Sequence, residues 1–233
     1  MLLQAARRVK HALEPRVARQ DRRDKAALSA ILAAVLEPDS SCVDVGANVG
    51  EVLAEIVRVA PAGRHVAFEP LPELAAALAA RFPRVDVRTA ALADAPGRSS
   101  YAHVVTRPGW SGLRERPMPR DERVETIEVD VRRLDDELPA DLAPALIKID
   151  VEGAELGVLR GATETLRAHR PLVVFEHGLG SADHYGTHPG DVFGLLAGLG
   201  YRVFDLEGDG PFTEEAFVET FFAARRVNFL ARP

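Results

Sequence analysis

Cysteine is nearly absent from this chain of 233 residues, and so are several other signals that would have narrowed its class at once. The lone Cys42 excludes an intrachain disulfide framework and a cysteine-built metal centre. It fits a reducing compartment. Tryptophan also occurs once, as Trp110. No apolar run approaches the ~20 residues that a membrane-crossing helix needs. The basic N-terminus lacks the continuous apolar core of a leader peptide, so a soluble, cytoplasmic protein is expected. No internal repeat or biased-composition segment is found. A complete Gly-x-Gly-x-x-Gly turn is missing as well, which weakens any reading as a nicotinamide-dependent oxidoreductase.

What is present is an ordinary globular composition, 47% hydrophobic and 27% charged with a net charge of −6. The length suits one α/β domain with a full core and is short for two. Charge is unevenly spread. Residues 1–25 hold eight basic side chains against three acidic ones, a net +5, which leaves −11 for the remainder. An acidic body argues against a phosphate-backbone partner, so no nucleic acid is expected. Leu2, Leu3, Ala6, Val9 and Leu13 are spaced for one helix face, and Pro15 is expected to break that helix. This basic segment reads as a solvated helix packed on its own domain or on the same helix of a second copy, a homodimer. Attraction to an anionic surface is the alternative. A second helix is expected from Asp24 to Leu36. Residues 1–40 are therefore read as a helical extension and 41–233 as the domain proper.

The domain opens on Val43-Asp44-Val45-Gly46-Ala47-Asn48-Val49-Gly50, an apolar strand, a glycine turn and the start of a helix. A side chain in such a turn would block a ligand above it. An acid before the first glycine would repel a pyrophosphate and welcome a cation. Nineteen residues after Gly50, the strand His65-Val66-Ala67-Phe68 ends in Glu69-Pro70. A carboxylate at that interval can accept both hydroxyls of an adenosine ribose. Val85 to Ala91 reads as a third strand. The small residues in Ala91-Leu92-Ala93, at the strand's carboxyl end, leave room for a flat ring. Asp94 either accepts from the adenine amino group or starts the turn Asp94-Ala95-Pro96-Gly97.

Residues 97–135 interrupt the strand–helix alternation and read as a β-hairpin-like insertion whose loop covers the site. In that loop Trp110 and Ser111 either line a substrate pocket or anchor the loop. Ala145 to Asp150 is the expected central strand. It places Asp150 in the same crevice as Asp44, with Lys148 in a structural ion pair. Leu172 to His177 ends in Glu176 and His177. A glycine-rich loop, residues 178–190, carries His184 and His188. A helix from Asp191 to Leu199 and strands at 201–206 and 226–231 complete the pattern. The order implies a mostly parallel sheet with ligands over the carboxyl ends of its strands.

Val43 to Gly50, Phe68-Glu69-Pro70, Ala91-Leu92-Ala93-Asp94, Ile147-Lys148-Ile149-Asp150-Val151-Glu152-Gly153-Ala154-Glu155 and Phe175-Glu176 resemble the motif series of the FkbM family of S-adenosylmethionine-dependent methyltransferases. The resemblance implies a class I methyltransferase fold, α/β and Rossmann-like. It implies a seven-stranded, mostly parallel sheet with an antiparallel last strand and helices on both faces. It implies methyl transfer to a hydroxyl of a sugar, glycan or polyketide-type natural product. It puts Asp44, Gly46, Asn48 and Gly50 on the family's first motif, with Asp44 near the methionine ammonium, Glu69 on the ribose acid, and Ala91 and Leu92 on the adenine wall. Ala47, Pro70 and Asp94 are also expected to bind the cofactor. Asp150 falls beside the methionine end.

The acceptor hydroxyl needs a group to take its proton. His177 is the first candidate, with His184 and His188 behind it. Asp150, Glu176 and His177 form an alternative Mg²⁺ site that would activate the hydroxyl directly, although histidine is a poor match for that hard cation. Substrate contacts are expected at Trp110, Ser111 and His184. A non-catalytic S-adenosylmethionine-binding protein is the remaining reading.

Overall fold

The computed structural model describes residues 2–119 and 121–233, with side chains described from Arg19 onward. In chain order the elements are α1 (Leu2–Val35), β1 (Ser41–Val45), α2 (Glu51–Val59), β2 (Val66–Phe68), α3 (Pro72–Arg81), β3 (Asp86–Arg88), β4 (Ala91–Leu92), β5 (Gly97–Val104) and β6 (Val124–Arg132). They continue with α4 (Leu134–Glu137), β7 (Pro144–Ile149), α5 (Glu155–Arg160), α6 (Thr163–His169), β8 (Leu172–Glu176), α7 (Pro189–Gly198), β9 (Arg202–Asp205), α8 (Glu214–Phe222) and β10 (Asn228–Arg232).

Seven strands form one sheet in the order β3-β2-β1-β7-β8-β10-β9. Pairing is parallel except at β10, which runs antiparallel to both β8 and β9. The chain thus lays β1 down first and builds outward through β2 and β3. It then returns to pair β7 with the other side of β1. That reversal between β1 and β7 leaves a crevice at their carboxyl ends, where the outgoing connections diverge to opposite faces. Val45 closes both ladders, facing Phe68 on one side and Ile149 on the other. The residues just past those strand ends are Gly46, Glu69 and Asp150, and all three line the crevice.

The central strands are nearly continuous apolar runs, as a sheet covered on both faces requires. Val43, Ile147, Val173 and Phe175 are fully buried on one side, where α5, α6, α7 and α8 supply Val158, Leu166, Val192, Leu196 and Phe217. On the other face Cys42, Leu146, Val174 and Leu230 meet Leu32 from α1, Leu36 just past its end and Ile56 from α2. Burial pushes the Cys42 thiol up to about 12, so it behaves as a small apolar side chain.

Two expectations about elements are corrected. Helix α1 runs from Leu2 to Val35 without a stop at Pro15. A proline removes one amide donor and bends a helix, and good helix formers on both sides can carry the helix through it. The face formed by Leu2, Leu3, Ala6, Val9 and Leu13 lies outside the described side chains, as do the dimer and anionic-surface readings built on it. The far half of α1 is tied down. Asp24 accepts from Gln20 Nε2 at 2.7 Å and from Asn228 Nδ2 at 2.9 Å, and Arg226 donates to Gln20 Oε1 at 2.9 Å. The second correction concerns residues 85–91. The third strand stops at Arg88, and Ala91–Leu92 instead pairs with β6 in a separate three-stranded sheet of order β4-β6-β5. The hairpin expected at 97–135 is β5 with β6, in register from Gly97 opposite Val131 to Val104 opposite Val124.

Candidate functional site

Physical constraints at the first turn come from both sides. Gly46 has φ +77°, and a Cβ there would stand 1.9 Å from the Asp150 carbonyl oxygen. Only glycine allows β1 to turn while Asp150 N donates to Val45 O at 3.0 Å. The amides of the turn are already committed. Gly46 N and Ala47 N donate to Phe68 O at 3.0 and 3.1 Å, and Gly50 N donates to Ala47 O. Asn48 N donates to Glu69 Oε2 at 2.8 Å. A turn whose N–H groups point inward, followed by Glu51 at the head of α2, is not a phosphate cradle.

Glu69 is buried, with Leu71 N donating to Oε1 at 2.9 Å. Each carboxylate oxygen accepts one backbone amide and retains capacity for another donor. Burial pushes this carboxyl up, and the amides of Leu71 and Asn48 oppose the shift. Glu69 forms one wall of a partly enclosed cavity. Phe68, Ala90, Ala91 and Leu92 make an apolar slot beside it, and Pro70 and Tyr101 complete that end. Gly46, Asn48, Asp150, Val151 and Glu152 line the other end. Pro108, Gly109, Ser111 and Leu113 from the insertion cover it. Ser111 is held in place by its Oγ, which accepts from Val104 N at 3.0 Å.

Beneath the cavity lies an ion network. Lys148 Nζ donates to Gly46 O at 2.8 Å and stands 3.2 Å from Asp44 Oδ1 and 3.6 Å from Asp150 Oδ2. Burial alone would lower the Lys148 ammonium, but Asp44 and Asp150 more than offset this and hold it charged. Burial pushes Asp44 up, and Lys148 counters the shift. The Asp44–Lys148 contact is one of charge, because neither Asp44 oxygen accepts a well-aligned hydrogen bond.

The structure therefore gathers Gly46, Asn48, Glu69, Pro70, Ala91, Leu92, Ser111 and Asp150 around one cavity. Asp44 faces Lys148 under the turn rather than the cavity. Ala47 and Gly50 pack behind the turn, Ala47 with Leu53 and Leu78, and Gly50 against Leu78 and Phe82. Asp94 is exposed and lines a neighbouring groove with His184. Trp110 stacks under the Arg107 guanidinium, 4.4 Å from it, and does not line the cavity. His188 caps α7, accepting from Gly190 N.

His177 is corrected as a base for this cavity. It has no exposed surface, lies between Phe217 and Phe221 at ring separations of 6.2 and 4.9 Å, and stands 3.5 Å from Glu155 Oε2. The same placement separates the trio Asp150, Glu176 and His177. Among the described residues no three His, Cys, Asp or Glu side chains are grouped to hold a metal ion. Glu176 is half-buried, and burial together with Asp150 pushes its carboxyl well up.

Two charged residues at the cavity escaped the sequence reading. Glu152 lines the cavity and pairs with Arg116 at 2.6 Å. Arg116 also donates to Gly180 O at 2.8 Å and to Trp110 O at 3.2 Å. Glu152 carried a signal, an acid followed by glycine just past a strand ending in Asp150. Arg116 carried none, since the loop that brings it here has no periodic pattern.

A mostly parallel sheet with helices on both faces, a tight glycine turn at its switch point and an acid just past the second strand are the Rossmann-like fold of the class I methyltransferases. The sequence places it more narrowly. The methyltransferase FkbM domain matches residues 44–203, and the chain belongs to that family. It is 32% identical over 183 aligned residues to the AMB antimetabolite synthetase AmbE of Pseudomonas aeruginosa, covering 61% of this chain and 8% of that one. The crystal structure of the FkbM methyltransferase from Methylobacillus flagellatus KT is similar with a TM-score of 0.54 and 21% identity, over 85% of this chain and 44% of that one. A TehB-like methyltransferase from Corynebacterium glutamicum gives a TM-score of 0.47 at 12% identity, over 95% and 96% of the two chains. The chain thus spans less than half the length of AmbE and of the solved FkbM methyltransferase.

Proposed function

We propose that this chain binds S-adenosylmethionine in the cavity and transfers its methyl group to a hydroxyl of a small-molecule acceptor, a sugar, glycan or polyketide-type natural product. The buried Glu69 carboxylate carries the reading, because its two oxygens are held by backbone amides at the mouth of an apolar slot. Its free lone pairs suit the two ribose hydroxyls, and Ala91 and Leu92 suit the adenine face. The committed turn amides and the acidic lining suit a donor with a sulfonium and an ammonium and no phosphate. Bound there, that donor supplies an electrophilic methyl group. The residues of the chain hold it with the acceptor oxygen in line, and such positioning contributes about 7 kcal/mol or more. The cover from Pro108 to Leu113 keeps water from competing.

Calorimetry with S-adenosylmethionine and, separately, a nicotinamide dinucleotide tests the cofactor. The proposal expects binding of the first alone; binding of the dinucleotide alone overturns it. Glu69→Ala is expected to weaken S-adenosylmethionine about 100-fold, since two hydrogen bonds to a charged group are lost. Equal affinity in that variant removes the ribose role. Labelled donor offered with pools of sugars and natural-product alcohols then tests the acceptor class.

A further inference from the structure

We propose that Glu152 faces the sulfonium of the donor and makes the cavity prefer the charged donor over its neutral thioether product. The inference rests on the donor reading above and deepens it.

The placement follows from the sheet. Glu69 and Asp150 each lie one residue past a strand paired with Val45, on opposite sides of β1. They are therefore two strand spacings apart, roughly 10 Å. A nucleoside with its ribose on Glu69 and its base against Ala91 and Leu92 has one direction left for its 5′ substituent. That direction leads toward Asp150 and Glu152.

Glu152 is built to stay there. Its own φ is +56°, and the following Gly153 has φ +111° where a Cβ would stand 2.5 Å from Ser181 O. Gly153 N donates to Glu155 Oε1 at 2.8 Å, which pins the turn from the other side. Arg116 grips the Glu152 carboxylate while held by Gly180 O and Trp110 O, and both side chains are nearly out of solvent, at 14% and 16% exposure. A strained backbone secured from three sides is how a site fixes a charge before its ligand arrives.

Arg116 does not neutralise this region. The groups facing Glu152 are Arg116 from the insertion, Asp150 just past β7, Glu155 from α5, Glu176 at the end of β8, and the Tyr101 hydroxyl from β5. His177 lies behind Glu155. Lys148 is already shared between Asp44 and Asp150. Negative charge is left over, and burial followed by Asp150 pushes Glu152 up to about 7 despite Arg116. A cation entering favours the ionised carboxylate and releases a proton. When the methyl group leaves, the sulfur takes the bonding pair and becomes a neutral thioether. Glu152 then has nothing to attract, which favours product release.

The test measures dissociation constants for S-adenosylmethionine and S-adenosylhomocysteine between pH 6 and pH 8. Both ligands share the ribose, base and amino-acid contacts, so their ratio isolates the sulfonium. As pH rises through about 7, Glu152 ionises, and preference for the charged ligand is expected to grow about tenfold. In Glu152→Gln the ratio is expected to be lower and flat. Arg116→Met provides an arm independent of that variant's folding. Losing the cation raises Glu152 further, so the step is expected at higher pH. A flat ratio in the native protein overturns the proposal, and so does an unchanged step in Glu152→Gln, which would assign it to another carboxylate. If both ligands bind with a flat ratio, this inference alone falls. If neither binds, the donor reading falls and takes this one with it.

Discussion

Among single residues, the ones that organise the crevice are buried charges, and their value depends on their partners. Lys148 is the clearest case. It holds the Gly46 carbonyl and offsets two carboxylates from inside the sheet. Lys148→Met leaves Asp44 buried and unpaired, and is expected to cost about 3–5 kcal/mol in chemical denaturation. The paired change Asp44→Leu with Lys148→Met is expected to recover most of that loss, because neither partner is then orphaned. A double variant no more stable than the single one would show that the hydrogen bond to Gly46 O matters more than the ion pair. Lys148 and Asp150 are two apart and share a face, so that contact could be read from residue order, whereas the one with Asp44 could not. The position of His177 could not. Its neighbours in sequence are polar and suggest a site, whereas its neighbours in space are Phe217 and Phe221 from α8, forty or more residues later.

The unit that matters at the level of elements is the strand-to-helix turn after β1. Its tightness comes from the approach of Asp150 O to Gly46, a contact between segments about a hundred residues apart. Gly46→Ala is expected to lower stability by about 2 kcal/mol from left-handed backbone alone, with the clash added. Affinity for S-adenosylhomocysteine should fall more than tenfold, because the turn can relax only into the cavity. Calorimetry and a thermal melt on the same sample measure both; native affinity in a stable variant would show that the turn does not shape the site. The glycine motif was visible as a pattern. The assignment of Ala91 and Leu92 to a separate sheet was not, since a two-residue strand has no periodicity of its own and is defined by its partner β6.

In the whole molecule, the long first helix belongs to the core at its far end. Leu32 and Leu36 cover Cys42, Leu146, Val174 and Leu230 on one face of the sheet. Burying each leucine contributes ~1.5–3 kcal/mol. A chain beginning at Glu37 is therefore expected to melt at a clearly lower temperature and to aggregate, as followed by thermal unfolding and light scattering. Unchanged melting would show that α1 is peripheral. An extension ending at residue 40 is thus a boundary in sequence but not in packing, because the apolar stripe from Ala27 to Leu36 needs the sheet to bury it.

Residue order by itself determined the alternation of strands and helices, the turn at Gly46, the acid at Glu69 and the hairpin at 97–135. All of these are local: each depends on periodicity, glycine or a fixed interval along one stretch of chain. Only the tertiary structure decided that Asp44 faces Lys148 instead of the cavity, that His177 is enclosed by aromatics, and that Arg116 reaches Glu152. Those outcomes depend on contacts between distant segments, whose energies are set by burial and by the charge that happens to stand opposite.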